Sequence, residues 1–357
     1  MMTVRRKNAA LINRSLLVFF LLLAAAVAPG AFATGEAING FPNWSERVLH
    51  EWTNRARSDP QVEMIACGAN CGDAACYSPT APLLWSENLN HSSRFHADNM
   101  TKLNFQGGNS ICAIAPDIGS TYPDSCDGSV GCACQGGVAN CSLGCTNFAE
   151  RISLFGASGF GENIAGAADQ DPDAAFKLWM YLNFPTHMEG GSCQAVFSEP
   201  TNAYRWQILK NTGLVGFGMP VATAEAVIDF GSGTGSAKIP SGAHFPRQAT
   251  SVDAWVNWFD AAGPSVANID VDGVCSNMTL DRGSATNGSW HATVSGAGSG
   301  CHRYFFAFKD GNGAEVVYPT TGSLTIGDGG VSCPDWSTVS PRGCDGFDRI
   351  FVSGLDP

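Results

Sequence analysis

The sequence has few charged residues and little positive charge. Only 15% of its 357 residues are charged, and 32 acidic residues outnumber 20 basic ones, for a net charge of −12 at pH 7. No cluster of lysine and arginine stands out, although proteins that bind nucleic acids usually carry a basic patch. We therefore expect no nucleic-acid partner. Hydrophobic residues make up 44% of the chain, which is enough for a folded core and excludes global disorder.

Long apolar runs are also scarce. The one such run, residues 16–27, is shorter than the roughly 20 residues that a helix needs to cross a membrane. It follows a basic stretch, Arg5–Arg14, and precedes an Ala-Phe-Ala sequence that ends at Ala33 and has the pattern of a cleavage site. The sequence thus predicts a signal peptide over residues 1–33. The mature chain is expected to be secreted, either extracellular or periplasmic, with no transmembrane segment.

Cysteine, in contrast, is abundant. The 14 cysteines indicate an oxidising compartment, because a reducing cytosol would leave most of them as free thiols. Ten lie between Cys67 and Cys193, and the other four are Cys275, Cys301, Cys333 and Cys344. The even counts predict disulfides within each part of the chain, with Cys275 expected to pair with Cys301. Pairing among the first ten stays open.

The composition divides the chain into segments. Residues 41–233 (the first segment) mix helical and strand patterns, whereas residues 245–327 (the second segment) contain strand patterns only. A glycine-rich linker, 234–244, joins them, and residues 329–357 form a C-terminal tail. Because the linker offers little apolar surface for docking, we expect the two segments to fold separately.

The first segment contains three clear helix starts. Asn43-x-x-Glu46 predicts a capping box, Ser86 caps a second helix, and Asp171-Pro172 begins a third. Two strand patterns, 214–219 and 226–230, follow them. Helices that bracket a late antiparallel sheet predict an α+β layered fold.

The second segment has short strand patterns at regular spacing. Residues 254–259 and 303–308 are rich in aromatic residues, and Lys309-Asp-Gly-Asn-Gly313 is a hairpin turn signal. This spacing predicts an all-β immunoglobulin-like sandwich that acts as an accessory domain. Aromatic residues in strands usually form the core, but an exposed set could bind carbohydrate.

Several motifs of the first segment occur in an order that resembles a known family. They are Asn54-Arg55-Ala56-Arg57, Leu83-Leu84-Trp85-Ser86-Glu87, Phe95-His96-Ala97-Asp98-Asn99-Met100, Gly161-Glu162-Asn163-Ile164-Ala165, and Tyr204-Arg205-Trp206-Gln207-Ile208-Leu209 followed by Val215-Gly-Phe-Gly218. Together they resemble the CAP superfamily, which includes cysteine-rich secretory proteins, antigen 5 and class 1 pathogenesis-related proteins. The bacterial members are the most similar. A cysteine-rich insertion, 112–145, interrupts the resemblance.

The resemblance implies an α-β-α sandwich with a central cleft, secretion, and a binding or signalling role. The family's cleft often carries two histidines and two glutamates that can hold a divalent metal. The matching positions of this chain are Gly108, Glu162, Leu182 and Tyr204, so that only one of the four residue types is kept. We therefore expect no metal and no other cofactor in this cleft. Zinc bound at Cys132-x-Cys134 and Cys141-x-x-x-Cys145 is the alternative to disulfides in the insertion.

The expected cleft residues are Glu162, Asn163, Tyr204, His96 and Leu182, with no catalytic residue assigned. His96 shares a helix face with apolar residues and is expected to be a hydrogen-bonded core histidine. Glu162 either has a role in the cleft or caps backbone amides, and the sequence leaves both open.

These observations predict a secreted, monomeric binding module for a lipid, a small apolar ligand or a protein partner. Two alternatives stay open. One is a cleft hydrolase or protease that uses Glu162 with Tyr204 or His187. The other is an adhesive or carbohydrate-binding protein that acts through the β-sandwich.

The cysteine count generates the first testable prediction. We expect the purified protein to contain no free thiol, because each part of the chain has an even number of cysteines and export favours oxidation. Alkylation before reduction should add no mass, whereas alkylation after reduction should label all 14 cysteines. Two or more labelled thiols within residues 126–145 would support zinc binding instead.

Overall fold

The computed structural model describes most of the chain after the predicted signal peptide. The described residues are 35–166, 168, 170–182, 203–210, 213–221, 223–340 and 343–344. The signal peptide, His187, Cys193 and the last residues of the C-terminal tail lie outside them. No helix of the described residues has the length and apolar character that crossing a membrane requires.

Helices dominate the first segment. Their bounds are α1 Trp44–Ser58, α2 Pro60–Ile65, α3 Glu87–Leu103, α4 Ile118–Thr121, α5 Val130–Ala133, α6 Phe148–Leu154, α7 Pro172–Tyr181 and α8 Ala203–Lys210. The three predicted helix starts are confirmed. Asn43 and Glu46 form the capping box of α1, Ser86 caps α3, and Asp171 caps α7, whose first residue is a proline.

One four-stranded sheet lies among these helices. Its strands are β1 Leu84–Trp85, β2 Gly159–Ala165, β3 Leu214–Gly218 and β4 Ala226–Gly231, in the order β1-β3-β4-β2. β1 is parallel to β3, and the other neighbours are antiparallel. Together with the strands of the second segment, this confirms the predicted α+β class.

Two glycines of β3 allow α3 to lie directly on the sheet. A Cβ atom at Gly216 would come within 2.1 Å of the Asn90 backbone nitrogen, and one at Gly218 within 2.2 Å of the Arg94 nitrogen. In the space that the glycines leave, Ser93 Oγ donates a hydrogen bond to the Gly216 carbonyl at 3.0 Å. The Val-Gly-Phe-Gly motif is therefore required by helix-to-sheet packing.

The second segment is entirely β-structure apart from its turns. Its strands, with the short strands that flank it, are β5 Gly242–Phe245, β6 Ser251–Phe259, β7 Val266–Val271, β8 Val274–Asn277, β9 Thr279–Ser284, β10 Asn287–Ser295, β11 His302–Lys309, β12 Glu315–Tyr318, β13 Ser323–Ile326 and β14 Trp336–Ser337. They form two antiparallel sheets, β5-β6-β10-β9 and β14-β13-β11-β7-β8 with β12 beside β11. Both sheets contribute to one core, in which Trp258 stacks on Phe308 at 5.7 Å between ring centroids. β5 begins inside the predicted linker, and β14 belongs to the predicted tail.

The two segments do not dock as weakly as the glycine-rich linker suggested. Helix α1 contacts strands of both segments, and all of it except Ser45 is buried. Trp52 packs edge-on against Phe245 at 4.9 Å, and Trp44 Nε1 donates a hydrogen bond to the His244 carbonyl at 3.0 Å. The docking surface was missed because it lies on a helix far from the linker in sequence.

A buried ion cluster strengthens this contact. The Glu63 side chain is fully buried and accepts two hydrogen bonds of 3.0 Å from Arg55. It also contacts Arg282 of β9 and the hydroxyl of Tyr181. Removing either arginine would leave the buried Glu63 carboxylate incompletely paired, which strongly destabilises a folded protein. Because Arg55 belongs to the first segment and Arg282 to the second, the cluster holds the two segments together.

The disulfides of the second segment differ from the predicted pairing. Cys275 pairs with Cys344, and Cys301 pairs with Cys333, so the predicted Cys275–Cys301 bond is wrong. Both bonds join the second segment to the C-terminal tail, so the expectation of disulfides within each part of the chain is also wrong here. Strand β7 lies between β8, which holds Cys275, and β11, which Cys301 precedes. Two strand spacings are roughly 10 Å, beyond the reach of a disulfide.

In the first segment, the described cysteines also form disulfides. The bonds are Cys67–Cys71, Cys112–Cys134, Cys126–Cys132 and Cys141–Cys145, and no described cysteine is free. The zinc alternative for the insertion is therefore wrong, because all four candidate ligands are bonded to sulfur. Three of these bonds, Cys112–Cys134, Cys126–Cys132 and Cys141–Cys145, cross-link the insertion.

The second prediction concerns Glu51, which is fully buried between α1 and the second segment. Its carboxyl group accepts hydrogen bonds from Ser241 Oγ at 2.6 Å and Ser289 Oγ at 3.1 Å. Burial raises the pKa of Glu51 to about 8, although the hydrogen bonds from the two serines oppose the shift. The folded protein therefore holds this proton in a range of pH where the unfolded chain releases it. This contribution to stability is complete below the unfolded pKa and is lost as pH rises toward about 8.

We expect Glu51→Gln to flatten this dependence, because the amide is neutral at every pH and still accepts from a serine. The free energy of unfolding, measured with urea by circular dichroism, should fall by a few kcal/mol between about pH 5 and pH 8 in the unmodified protein, since one pKa unit corresponds to about 1.4 kcal/mol. The exposed Glu315→Gln variant is the matched control. An equal slope in all three proteins would contradict the assignment.

Candidate ligand cleft

A cavity of about 740 Å³ lies beside the first sheet, and we call it the cleft cavity. Residues from five elements line it: Gln106, Gly107 and Gly108 after α3, Ile164 and Gly166 at the end of β2, Leu178 and Leu182 of α7 and its C-cap, Tyr204 of α8, and Glu225 before β4. Its volume falls in the range of small-molecule sites. Three of the positions assigned to the metal site of the resembled family, Gly108, Leu182 and Tyr204, meet here.

The lining of the cleft cavity has an apolar part and a polar part. Ile164, Leu178 and Leu182 supply apolar surface, and Leu182 remains 47% exposed. Gln106 and Glu225 supply an amide and a carboxylate. At Gly107 a Cβ atom would meet nothing within 4 Å, so the backbone itself forms that part of the wall. The cavity can therefore contact both an apolar and a polar part of one ligand.

Glu162 lies behind this wall. A Cβ atom at Gly108 would stand 3.2 Å from Glu162 Oε1, and the Glu162 side chain is only 4% exposed. Its carboxylate forms a salt bridge with Arg151, whose side chain is fully buried. The expected cleft carboxylate is thus neutralised within the protein.

Arg151 has several acceptors besides Glu162. Its Nη1 atom donates to the Gly108 carbonyl at 3.2 Å and to Ser110 Oγ at 3.3 Å. The guanidinium group therefore fixes the glycine backbone that forms the cavity wall. Charge-assisted hydrogen bonds of this kind are among the stronger ones.

Asp229 adds a second buried carboxyl group. It lies opposite Glu162 in the β2–β4 register and is fully buried, beside Ser92 and Ser93 of α3. Burial raises the pKa of Glu162 well above its usual value and also raises that of Asp229, while Arg151 opposes both shifts. Two buried carboxyl groups thus lie close to the guanidinium group of Arg151, which pairs directly with Glu162.

His96 also lies behind the cavity wall. It is fully buried, with Nε2 at 2.9 Å from the Gly107 carbonyl and Nδ1 at 3.5 Å from Ser110 Oγ. Burial lowers the pKa of His96 well below its usual value, and the charge of Arg151 lowers it further. A buried imidazole that contacts a loop carbonyl fits the expected core histidine.

Asn163 positions the helix that carries Tyr204. The Asn163 side chain is buried, and its Nδ2 atom donates to the Tyr204 carbonyl at 3.1 Å. Gln207 of the same helix donates from Nε2 to the Glu162 carbonyl at 3.4 Å. The motif residues of β2 thus hold α8 in place, and Tyr204 lines the cavity as a consequence.

The divalent metal implied by the resemblance does not fit these residues. Gly108 and Leu182 offer no side-chain ligand, Tyr204 offers a phenol, and Glu162 is already paired with Arg151. Within the part of the chain that the structure describes, no three histidine, cysteine, aspartate or glutamate side chains are grouped to hold a metal ion. The guanidinium of Arg151 instead supplies the positive charge next to Glu162.

The sequence reasoning missed four residues of this region: Arg151, Asp229, Gln106 and Glu225. The sequence does give a sign of Asp229, because this charged residue interrupts the apolar strand pattern 226–230. Arg151 had none, because a basic residue near the end of a short helix is usually exposed.

Comparisons with known proteins add no identification. A scan of protein-family models found no match to this chain, and a search of curated proteins found none either.

The third prediction is that the protein does not bind zinc tightly. Imidazole is a strong neutral donor for zinc, whereas a phenol must first lose a proton from a group with a reference pKa near 10. Calorimetry should therefore show no binding at micromolar or lower dissociation constants. The Gly108→His, Tyr204→His double variant, which adds two imidazoles, should bind zinc more tightly. Micromolar binding by the unmodified protein that is lost on His187→Ala would overturn this prediction.

Proposed function

We propose that residues 41–233 form a CAP-superfamily domain of bacterial type and that the protein binds a ligand in the cleft cavity. The observation that carries the proposal is the meeting of Gly108, Leu182 and Tyr204 around one cavity. These residues are far apart in sequence, and only the resemblance suggested that they belong together. The ligand classes considered are a lipid, a small apolar molecule or a segment of a protein partner.

Binding is favoured over catalysis by the state of Glu162. A general base must have an available carboxylate within reach of its substrate. The Glu162 carboxylate is instead held by Arg151 behind Gly108. The hydrolase alternative with Tyr204 therefore lacks its base, and the one with His187 involves a residue outside the described part of the chain.

The second segment is proposed to be an immunoglobulin-like accessory domain. Its strand aromatics Trp258, Tyr304, Phe306 and Phe308 are buried in the core between its two sheets, whereas Phe259 is 37% exposed. Buried rings cannot stack on a sugar, so these four residues disfavour the carbohydrate-binding alternative. The disulfides fit an oxidising compartment, and we propose that the protein is exported through the predicted signal peptide.

The fourth prediction tests binding in the cleft cavity. Nile red, a neutral apolar fluorophore, should bind the protein with increased emission, and Leu182→Asp should weaken this binding at least about tenfold, because it places a charge on the apolar wall. Val331→Asp, at a fully exposed valine that does not line the cavity, is the matched control. Fluorescence titration measures the dissociation constants. Equal affinities for all three proteins would contradict the cleft as the binding site.

A further inference from the structure

Glu225 lies at the border of two cavities. It lines the cleft cavity, and with Gln106 it also lines a neighbouring cavity of about 360 Å³, together with Met100, Thr101, Asn104, Phe105 and Ala224. It is partly buried and immediately precedes β4. A ligand in either cavity would therefore meet the same carboxylate.

This carboxylate has no cationic partner among the described residues. Gln106 Nε2 donates to Glu225 Oε2 at 3.5 Å, which is a long hydrogen bond to a neutral group. Partial burial raises the pKa of Glu225, and the Gln106 amide opposes the shift. Glu162, by comparison, has Arg151. The two glutamates near the cleft thus differ in whether a described residue supplies a countercharge.

The absence of a side chain at Gly166 leaves room for the Gln106 amide beside Glu225. A Cβ atom at Gly166 would come within 1.8 Å of Gln106 Nε2, so a larger residue there would displace the amide. Gly166 follows β2, which pairs with β4 up to Ala165 and Ala226, next to Glu225. Glycine at this position therefore allows the amide to lie against the carboxylate and fix its direction at the cavity border.

We propose that the cleft cavity binds a cationic amphiphile, with an ammonium group at Glu225 and an alkyl chain against Ile164, Leu178 and Leu182. This inference rests on the proposed function and names its ligand class. The ammonium group would supply the countercharge that no described residue gives to Glu225, and the alkyl chain would cover the half-exposed Leu182. A fatty carboxylate is disfavoured at the same place, because two like charges would meet in a partly desolvated site.

The test compares three probes of equal chain length on the purified protein: octylammonium, octanol and octanoate. Competition with Nile red measures their dissociation constants. We expect octylammonium to bind roughly tenfold more tightly than octanol, as a charge-assisted hydrogen bond allows, and octanoate to bind most weakly. Glu225→Gln should abolish the preference for the ammonium, and Glu225→Lys should transfer it to octanoate. Glu315→Gln, which changes the net charge equally at an exposed position, should leave the preference intact.

The outcomes separate this inference from the proposed function. Equal binding of octylammonium and octanol, both weakened by Leu182→Asp, would overturn the cationic ligand and leave the cleft as a binding site. Failure of all three probes and of Nile red to bind would overturn both. An ammonium preference that persists in Glu225→Gln would show attraction to the acidic protein as a whole and would also overturn the assignment. Thermal unfolding of each variant confirms that it is folded.

Discussion

Burial of helix α1 on nearly every side is the constraint on which the rest of the structure depends. A buried charged residue is stable only when it is paired and hydrogen-bonded, and α1 carries several of them. Glu46 pairs with Arg94 of α3, Arg55 pairs with Glu63, and Glu51 accepts hydrogen bonds from Ser241 of the linker and Ser289 of the second segment. Pairing the buried charged residues of this one helix therefore fixes the positions of α2, α3 and the second segment relative to α1. The same requirement explains why a polar helix can lie at the centre of the protein.

Local features of the fold were predictable from the sequence because their causes are local. The caps at Asn43, Ser86 and Asp171 depend on side chains within three residues of the helix start. The strand patterns of the second segment likewise follow from alternation along the chain. The docking of the two segments was not predictable, since it arises from Trp44 and Trp52 meeting strand β5 about 200 residues away in sequence. The predicted partner of Cys275 was wrong for the same reason. The order of the strands in the sheet decides which cysteines are close, and the spacing of cysteines along the sequence does not reveal that order.

The candidate site shows the same division. Tyr204 and Leu182 could be placed at the cleft because the motifs supply their positions by resemblance. The role of Glu162 could not be deduced, because it depends on Arg151, which comes from helix α6, just after the cysteine-rich insertion. That insertion carries three disulfides in the described structure, and α6 follows it directly. The disulfides thus hold the insertion compact just before the helix that supplies the countercharge.

Glu162 and Glu225 differ in burial and in charged partners among the described residues, and this difference determines the electrostatics of the cleft cavity. A buried carboxylate without a countercharge is costly, so Arg151 beside Glu162 reduces both this cost and the reason to recruit an external cation. Glu225 is more exposed, so water can stabilise its charge although no described residue offers it a cation. Such a group costs little in the free protein but can gain a charge-assisted contact when a cation displaces that water. In the described structure, the Glu225 carboxyl group therefore lies at the border of the cleft cavity, next to the apolar surface of Ile164, Leu178 and Leu182.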